Sequence, residues 1–214
     1  MGTNDAVIEQ LSKWYSGDIH DCLDRLGIWG AVEGLSLYGH LPPSGRICGR
    51  ATTVQFRPCR TKITSSRYHR AIDNVPRGGV LVVDTAGARG SCTGELMCTG
   101  ARHHGAIGTI VNGTIRDVSE IEALGDYPVF APGVLPVTAV GRMEDVAIDV
   151  DIDIRGIRVQ PGDIIFADRD GVVVVPKDAA SVVAQMADGL GKAERNFKQQ
   201  ILNSVPLVQV FKDV

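Results

Sequence analysis

Apolar residues first recur at helical spacing near the start of the chain. Residues 5–15 alternate polar and apolar positions in this way, and the segment SGDIHDCLDRL (16–26) repeats the pattern before Gly27 closes it. Ser16 or Asp18 is of the type that caps a helix N-terminus. The pattern predicts two helices, the second with its apolar side chains on one face: Ile19, Cys22, Leu23 and Leu26.

The middle of the chain alternates between strand-like and helix-like segments. Ile47 to Phe56 is rich in β-branched residues, and VLVVD (80–84) has the continuous apolar character of a buried strand. A glycine-rich turn (85–94), a helix (95–104) and a further strand (107–111) follow. This strand–turn–helix–strand unit is typical of α/β proteins.

The second half of the chain predicts further strands and a terminal helix. VAIDVDIDI (146–154) alternates strictly, which predicts one half-exposed strand with its aspartates facing water. Strands at 164–167 and 172–175 flank the turn Arg169-Asp170-Gly171 and predict a hairpin. The chain from residue 177 onwards has apolar residues near helical spacing. Shorter elements are predicted at 68–74 (helix), 118–124 (helix) and 128–130 (strand).

Composition favours one globular domain over residues 1–214. The chain is 44% hydrophobic and 22% charged, and no linker or shift in composition marks a boundary. With a formal net charge of −3, no excess of cations is available to neutralise phosphates, so we expect no nucleic-acid partner. Without a polybasic run or a membrane-spanning stretch we expect no membrane partner either.

The N-terminus and the cysteines indicate the compartment. The first residues lack the basic-then-apolar pattern of a secretory signal. The five cysteines are an odd number without C-x-x-C spacing, which disfavours a disulfide framework or a structural zinc site. We therefore expect reduced thiols in a cytoplasmic protein.

The glycine-rich turn TAGARGSCTG (85–94) opens directly onto a helix. Its glycines Gly87, Gly90 and Gly94 allow successive N–H groups to point into one concavity, and the helix dipole adds positive charge there. Such a loop is suited to a carboxylate or phosphate, although the same sequence also serves as a simple tight connection. The turn lacks G-x-G-x-x-G spacing and a P-loop motif, which argues against dinucleotide and P-loop nucleotide binding.

The dipeptide Arg116-Asp117 carries the strongest chemical signal. It follows the strand that ends in Asn112-Gly113, and strand ends facing helix N-termini are where ligands collect in α/β proteins. Arginine offers a planar fork for a carboxylate or ketone oxygen, and aspartate offers a hard oxygen ligand for Mg²⁺ or Mn²⁺. Glu95, at the start of the preceding helix, is placed to reach such a metal through water. The alternative is an ordinary surface salt bridge.

The chain resembles the family of class II 4-hydroxy-4-methyl-2-oxoglutarate aldolases, oxaloacetate decarboxylases and ribonuclease E activity regulator A proteins. DCLDRLG (21–27) and GRATTV (49–54) match more weakly than four other segments. The resemblance covers a core of about 18–177, which leaves 178–214 as a helical C-terminal arm. The stronger segments are GGVLVVDTAG (78–87), TGELMCTGARHHGAIGTIVNGTIRDVSEI (93–121), YPVFAPG (127–133) and VQPGDIIFADRDGVVVVP (159–176).

The resemblance implies a fold, an assembly and roles for site residues. The fold is a layered α/β/β/α domain similar to the swivelling phosphohistidine domain, assembled as homotrimers or homohexamers with sites at subunit boundaries. Asp117 would bind the metal directly, Glu95 would hold metal-bound waters, and Arg116 would contact the substrate. Backbone amides of Gly94, Glu95 and Leu96 would receive the carboxylate of a 2-oxo acid. Glu194 is the candidate for a residue contributed by a neighbouring subunit.

The implied activity is that of a divalent-metal-dependent lyase. It would cleave a 4-hydroxy-2-oxo acid to pyruvate, decarboxylate oxaloacetate, or act on a substrate of a specialised pathway. The alternative is a non-catalytic regulator of RNA degradation that acts by binding protein. Regulators in this family lose the metal-binding aspartate, so Asp117 favours the enzyme. Asn112 replaces the usual aspartate before glycine, which we expect to change hydrogen bonding around the site and not the metal ligand.

Overall fold

The computed structural model describes residues 3–62 and 66–212, so residues 1, 2, 63–65, 213 and 214 of the predicted domain lie outside it. Helix α2 (Ser16–Arg25) forms where the helical spacing predicts it, and buries Ile19, Cys22 and Leu23. Asp18 fixes its start, since its carboxylate accepts the Tyr15 N–H at 3.0 Å. The helices are α1 (Thr3–Leu11), α2 (Ser16–Arg25), α3 (Ser66–Asp73), α4 (Glu95–His104), α5 (Val118–Ala123), α6 (Ala180–Leu202) and α7 (Leu207–Val210).

A mixed sheet forms the centre of the molecule, in the strand order β1-β14-β13-β3-β4-β6-β8-β2, with β10 also paired to the long β3. Strands β3, β4, β6 and β8 run parallel, so their carboxyl ends share one edge. The strands of this sheet are β1 (Ala31–Val32), β2 (Ser36–Tyr38), β3 (Ile47–Pro58), β4 (Val80–Asp84), β6 (Gly108–Asn112), β8 (Val129–Ala131), β10 (Met143–Ile148), β13 (Ile164–Ala167) and β14 (Val172–Val175). Two small sheets join β11 (Ile152–Ile154) to β12 (Ile157–Val159), and β5 (Ser91–Thr93) through β7 (Thr114–Ile115) to β9 (Gly133–Val134).

The buried side chains divide into three clusters that define four layers. Alternate residues of β4 belong to different clusters: Val80 and Val82 pack between the two halves of the curled sheet, whereas Leu81 and Val83 pack outward with α3 and α4. On the other half of the sheet, outward residues of β13 and β14 pack against α1, α2 and α6. The predicted α/β/β/α arrangement with a C-terminal helical arm is therefore confirmed.

The prediction of one continuous strand over 146–154 is wrong. The chain leaves β10 after Ile148, turns through Asp149 with φ of 53°, and enters β11 at Ile152. Apolar and polar residues keep alternating in phase through this turn, so the pattern alone does not reveal the break. The predicted hairpin is confirmed, because β13 and β14 pair antiparallel from Ile164↔Val175 to Ala167↔Val172.

The arm packs onto the N-terminal helices through Trp14. The indole N–H of Trp14 donates to Asp188 of α6 at 3.0 Å, and its ring lies against Gly191. Of the helices in the described ranges, including the 23-residue α6, none combines the length and apolar character that a membrane crossing requires.

Gly191→Ala tests this packing, because the added methyl group would overlap the Trp14 ring. We expect the free energy of unfolding to fall by about 1–3 kcal/mol in chemical denaturation. Gly189→Ala is the matched control on the same helix, since nothing lies within 4 Å of its added methyl group. It should raise stability by about 0.5–1 kcal/mol through helix propensity. Equal effects of the two substitutions would contradict this packing.

Candidate functional site

The short pairing of β5 with β7 brings two distant segments together. Thr93 lies opposite Ile115 in this parallel pair, and the Arg116 N–H donates to the Thr93 carbonyl at 3.1 Å. Gly94 follows Thr93 as the residue before α4, so the start of that helix lies beside Arg116 and Asp117. The structure thus places the predicted anion loop against the predicted arginine–aspartate pair.

Asp117 occupies a strained backbone position that aims its carboxylate at α4. Its φ of 59° is left-handed, a conformation that aspartate tolerates better than most residues, and it directly precedes α5. Its Oδ2 accepts the Glu95 N–H at 3.4 Å and lies 3.4 Å from Nε of Arg116. A side chain at Gly94 would overlap Oδ2, so the approach requires glycine.

The charged groups of this site remain open to solvent. The side chains of Arg116 and Asp117 are 42% and 41% exposed, so their ion pair contributes little to stability and both remain available to a ligand. The first-turn amides of α4, at 95–97, lack acceptors within the helix. Glu95 is half-buried, with Oε1 accepting the Thr99 hydroxyl at 2.6 Å, and Leu96 is 72% exposed.

The wall behind the site is buried and neutral. The Tyr68 hydroxyl of α3 lies 2.9 Å from the Thr93 hydroxyl, which fixes the residue before Gly94. Burial raises the pKa of Cys92 to about 11. Burial, followed by the charges of Glu95 and Asp117, raises the pKa of Cys98 to about 12. Both thiols are therefore protonated at neutral pH and are poor nucleophiles or metal ligands.

A polar network at the same sheet edge was not predicted from the sequence. Gln55, Asp84 and Asn112 lie in register across β3, β4 and β6. The buried Asp84 carboxylate accepts the Gln55 amide at 2.9 Å and the Asn112 amide at 3.0 Å. Asn112 also donates to the Asp153 carbonyl at 3.2 Å. The polar residues that end two of these strands, Asp84 of β4 and Asn112 of β6, are the sequence signal that would have indicated it.

Glu194 lies in a different part of the chain. It lines a cavity of about 1000 Å³ between α2 and α6, and neither Arg116 nor Asp117 lines that cavity. Partial burial raises the pKa of Glu194, and a hydrogen bond to Asp18 and the charges of Asp18 and Asp21 raise it further. Its contribution from a neighbouring subunit stays a prediction.

The donor set at Asp117 fits a magnesium-type ion. Among residues 3–62 and 66–212, no group of three or more histidine, cysteine, aspartate or glutamate side chains is placed to hold a metal. Mg²⁺ characteristically binds through one or two carboxylates and keeps several waters, whereas structural zinc needs four protein ligands. The exposed Asp117 carboxylate, in the space that Gly94 leaves free, therefore suits Mg²⁺ or Mn²⁺ with Glu95 nearby.

Comparisons with known proteins identify the family of this chain. The model of the RraA-like family, described as aldolase/RraA, matches residues 16–174. A putative 4-hydroxy-4-methyl-2-oxoglutarate aldolase of Halalkalibacterium halodurans is 34% identical over 79% of this chain and 76% of its own length. Streptomyces coelicolor RraAS2, described as an unusual member of the RNase ES inhibitor RraA protein family, superposes with a TM-score of 0.78. It is 27% identical, over 90% of this chain and 96% of its own.

A longer relative matches almost the whole chain. Protein DlpA of Legionella pneumophila is 34% identical over 97% of this chain, but the chain spans only 33% of DlpA. The match to the family model includes the loop that ends at Gly94, the first turn of α4 and the Arg116-Asp117 pair. The chain belongs to the aldolase/RraA family.

Proposed function

We propose that this protein is a divalent-metal-dependent lyase that releases pyruvate from a 4-hydroxy-2-oxo acid, and that the same site decarboxylates oxaloacetate. The observation that carries the proposal is the Asp117 carboxylate held at the N-terminus of α4 beside Arg116. The name of the Halalkalibacterium halodurans relative supports the same reaction class.

The residues of the chain divide the work of binding and charge stabilisation. The backbone amides of Gly94, Glu95 and Leu96, at the start of α4, hold the substrate carboxylate, and the positive helix end favours it there. Arg116 orients the 2-oxo group and balances the negative charge that grows on its oxygen as the C3–C4 bond breaks. The electrons of that bond stay on the pyruvate fragment as its enolate. Loss of CO₂ from oxaloacetate gives the same enolate, so one site serves both reactions.

Asp117 binds the metal, and Glu95 directs the proton transfer. When bound at Asp117, Mg²⁺ or Mn²⁺ supplies a Lewis acid for the 2-oxo carbonyl. Glu95 holds a water that takes the proton of the C4 hydroxyl and returns one to C3. Thr99 keeps the Glu95 carboxylate oriented through its 2.6 Å hydrogen bond. An assembly of three or six copies would add a residue such as Glu194 from a neighbour.

The second candidate is a non-catalytic regulator that binds protein. The likeness to Streptomyces coelicolor RraAS2 favours it, because that protein is described as a member of an RNase inhibitor family. The charged pair at 116–117 distinguishes the candidates, since a regulator that binds protein has no need of a carboxylate suited to a metal.

A coupled assay for pyruvate separates the two functions. With 4-hydroxy-4-methyl-2-oxoglutarate or oxaloacetate as substrate and Mg²⁺ present, we expect pyruvate release that a chelator abolishes and added Mg²⁺ restores. Free metal promotes decarboxylation of oxaloacetate without protein, so the rate measured without protein is subtracted. Pyruvate release that is insensitive to chelator, or none above the blank from either substrate, would contradict the proposal.

A further inference from the structure

We infer that Asp84 is a positioning residue, which together with Asn112 and Gln55 holds the two halves of the site in register. We call these three residues the Asp84 clasp. The inference rests on the proposed function for its kinetic consequence. Its structural consequence, the order of loop 85–94, does not depend on any reaction.

The Asp84 carboxylate is buried, and both of its oxygens accept hydrogen bonds. It is 6% exposed, and its Oδ2 accepts the Gln55 amide at 2.9 Å. Its Oδ1 accepts the Asn112 amide at 3.0 Å and the backbone N–H of Ala86 at 2.9 Å. A buried carboxylate surrounded by donors is favourable only while its hydrogen bonds are all made, so the clasp specifies one arrangement of β3, β4 and β6.

The hydrogen bond from the Ala86 N–H to Asp84 fixes the backbone at the start of loop 85–94. Ala86 has a φ of 48°, a left-handed conformation that alanine adopts at a cost of about 1–3 kcal/mol. The Asp84 carboxylate holds this residue, and loop 85–94 then leads to Gly94 and the start of α4. The clasp therefore acts on the amides proposed to bind the substrate carboxylate.

The bond to Asn112 ties the other half of the site to the same carboxylate. The Asn112 carbonyl accepts the Thr85 hydroxyl at 2.7 Å and the Thr85 N–H at 3.2 Å. Gly113 is pressed against the Thr85 side chain, where a Cβ would lie 2.5 Å from its hydroxyl oxygen. The segment that starts here continues directly to Arg116 and Asp117. One carboxylate thus fixes where both the loop and the charged pair begin.

Hydrogen exchange and kinetics of Asp84→Asn test the clasp together. We expect peptides covering 85–94 to exchange about tenfold faster or more, while peptides from α6 are unchanged. We expect kcat to fall about tenfold or more, because small displacements of positioned groups are costly. Asp163→Asn is the control. Asp163 is also a buried aspartate, accepting the Gln160 and Lys177 N–H groups at 2.8 Å. Its replacement should leave exchange at 85–94 unchanged.

A swapped variant gives the specific readout. Asp84→Asn with Asn112→Asp restores one contact between a carboxylate and an amide, so its kcat should exceed the product of the two single effects. It should stay below the native value, because the carboxylate at position 112 would face the Asp153 carbonyl. If Asp84→Asn does not fold, Asn112→Ala replaces it as the test, because it removes a single donor to Asp84. It should show the same faster exchange at 85–94. Unchanged exchange in both variants, or a swap no better than the product of its single changes, would overturn the inference. Native protein without metal-dependent pyruvate release would refute the proposed function, while the exchange result still decides on the clasp.

Discussion

Asp117→Asn should lower metal-dependent kcat/KM by about a hundredfold or more while leaving the fold intact. Asparagine keeps the size of the side chain and tolerates the left-handed backbone at φ of 59°, so the loss is that of the negative charge. The ion pair with Arg116 is over two-fifths exposed and worth less than about 1 kcal/mol. The melting temperature should therefore move by no more than about 4 °C.

Asp149→Asn provides the matched control for this substitution. Asp149 is also an exposed aspartate in a left-handed conformation, with φ of 53°, but it lies in the turn between β10 and β11. Its replacement should leave pyruvate release unchanged. An Asp117→Asn enzyme with activity close to that of Asp149→Asn would contradict a metal-binding role for Asp117.

Gly94→Ala should abolish the proposed pyruvate release through a steric clash. The backbone of Gly94 is extended, so alanine fits it, but the new methyl group would overlap Oδ2 of Asp117 and lie 3.1 Å from Cγ of Arg116. Because both contacts are to exposed side chains that can move, the fold should persist while Asp117 is displaced from the Glu95 amide. We expect kcat/KM to fall by about a hundredfold, as displacements of about 1 Å do in positioned sites.

Gly17→Ala is the control for Gly94→Ala. Gly17 lies in the first turn of α2, has no atom within 4 Å of its added methyl group and does not need a positive φ. Its variant should keep native activity and melting temperature. Circular dichroism of Gly94→Ala checks that its loss of activity is local, and near-native turnover would show that the close approach of Gly94 to Asp117 is not needed.

Much of the α/β core follows from local sequence. The buried strand at 80–84, the helix at 95–104 and the following strand are confirmed as β4, α4 and β6, because each has a strong apolar pattern and a glycine at its boundary. The glycine-rich turn between β4 and α4 also indicates that the predicted anion-binding loop lies near the strand end that leads to Arg116. The family resemblance added the layering of the sheet, which no local pattern contains.

Other features depend on partners distant in sequence. Strand β5 has three residues and forms because it pairs with β7. The local sequence around it therefore predicts only a glycine-rich loop. Apolar and polar residues alternate in the same phase before and after the turn at Asp149, so this pattern does not predict the turn. The contacts of Asn112 with Asp84 require the parallel register of β4 and β6, which sequence spacing does not define.

We propose that Asp117 binds a divalent metal at this site, and Mn²⁺ binding tests this role without any assumption about the substrate. Titration of Mn²⁺ into the native protein, followed by the electron paramagnetic resonance signal of the free ion, should show binding that Mg²⁺ competes away. Asp149→Asn should bind as the native protein does, and Asp117→Asn should lose that binding. Equal Mn²⁺ affinity in Asp117→Asn and the native protein would contradict the account.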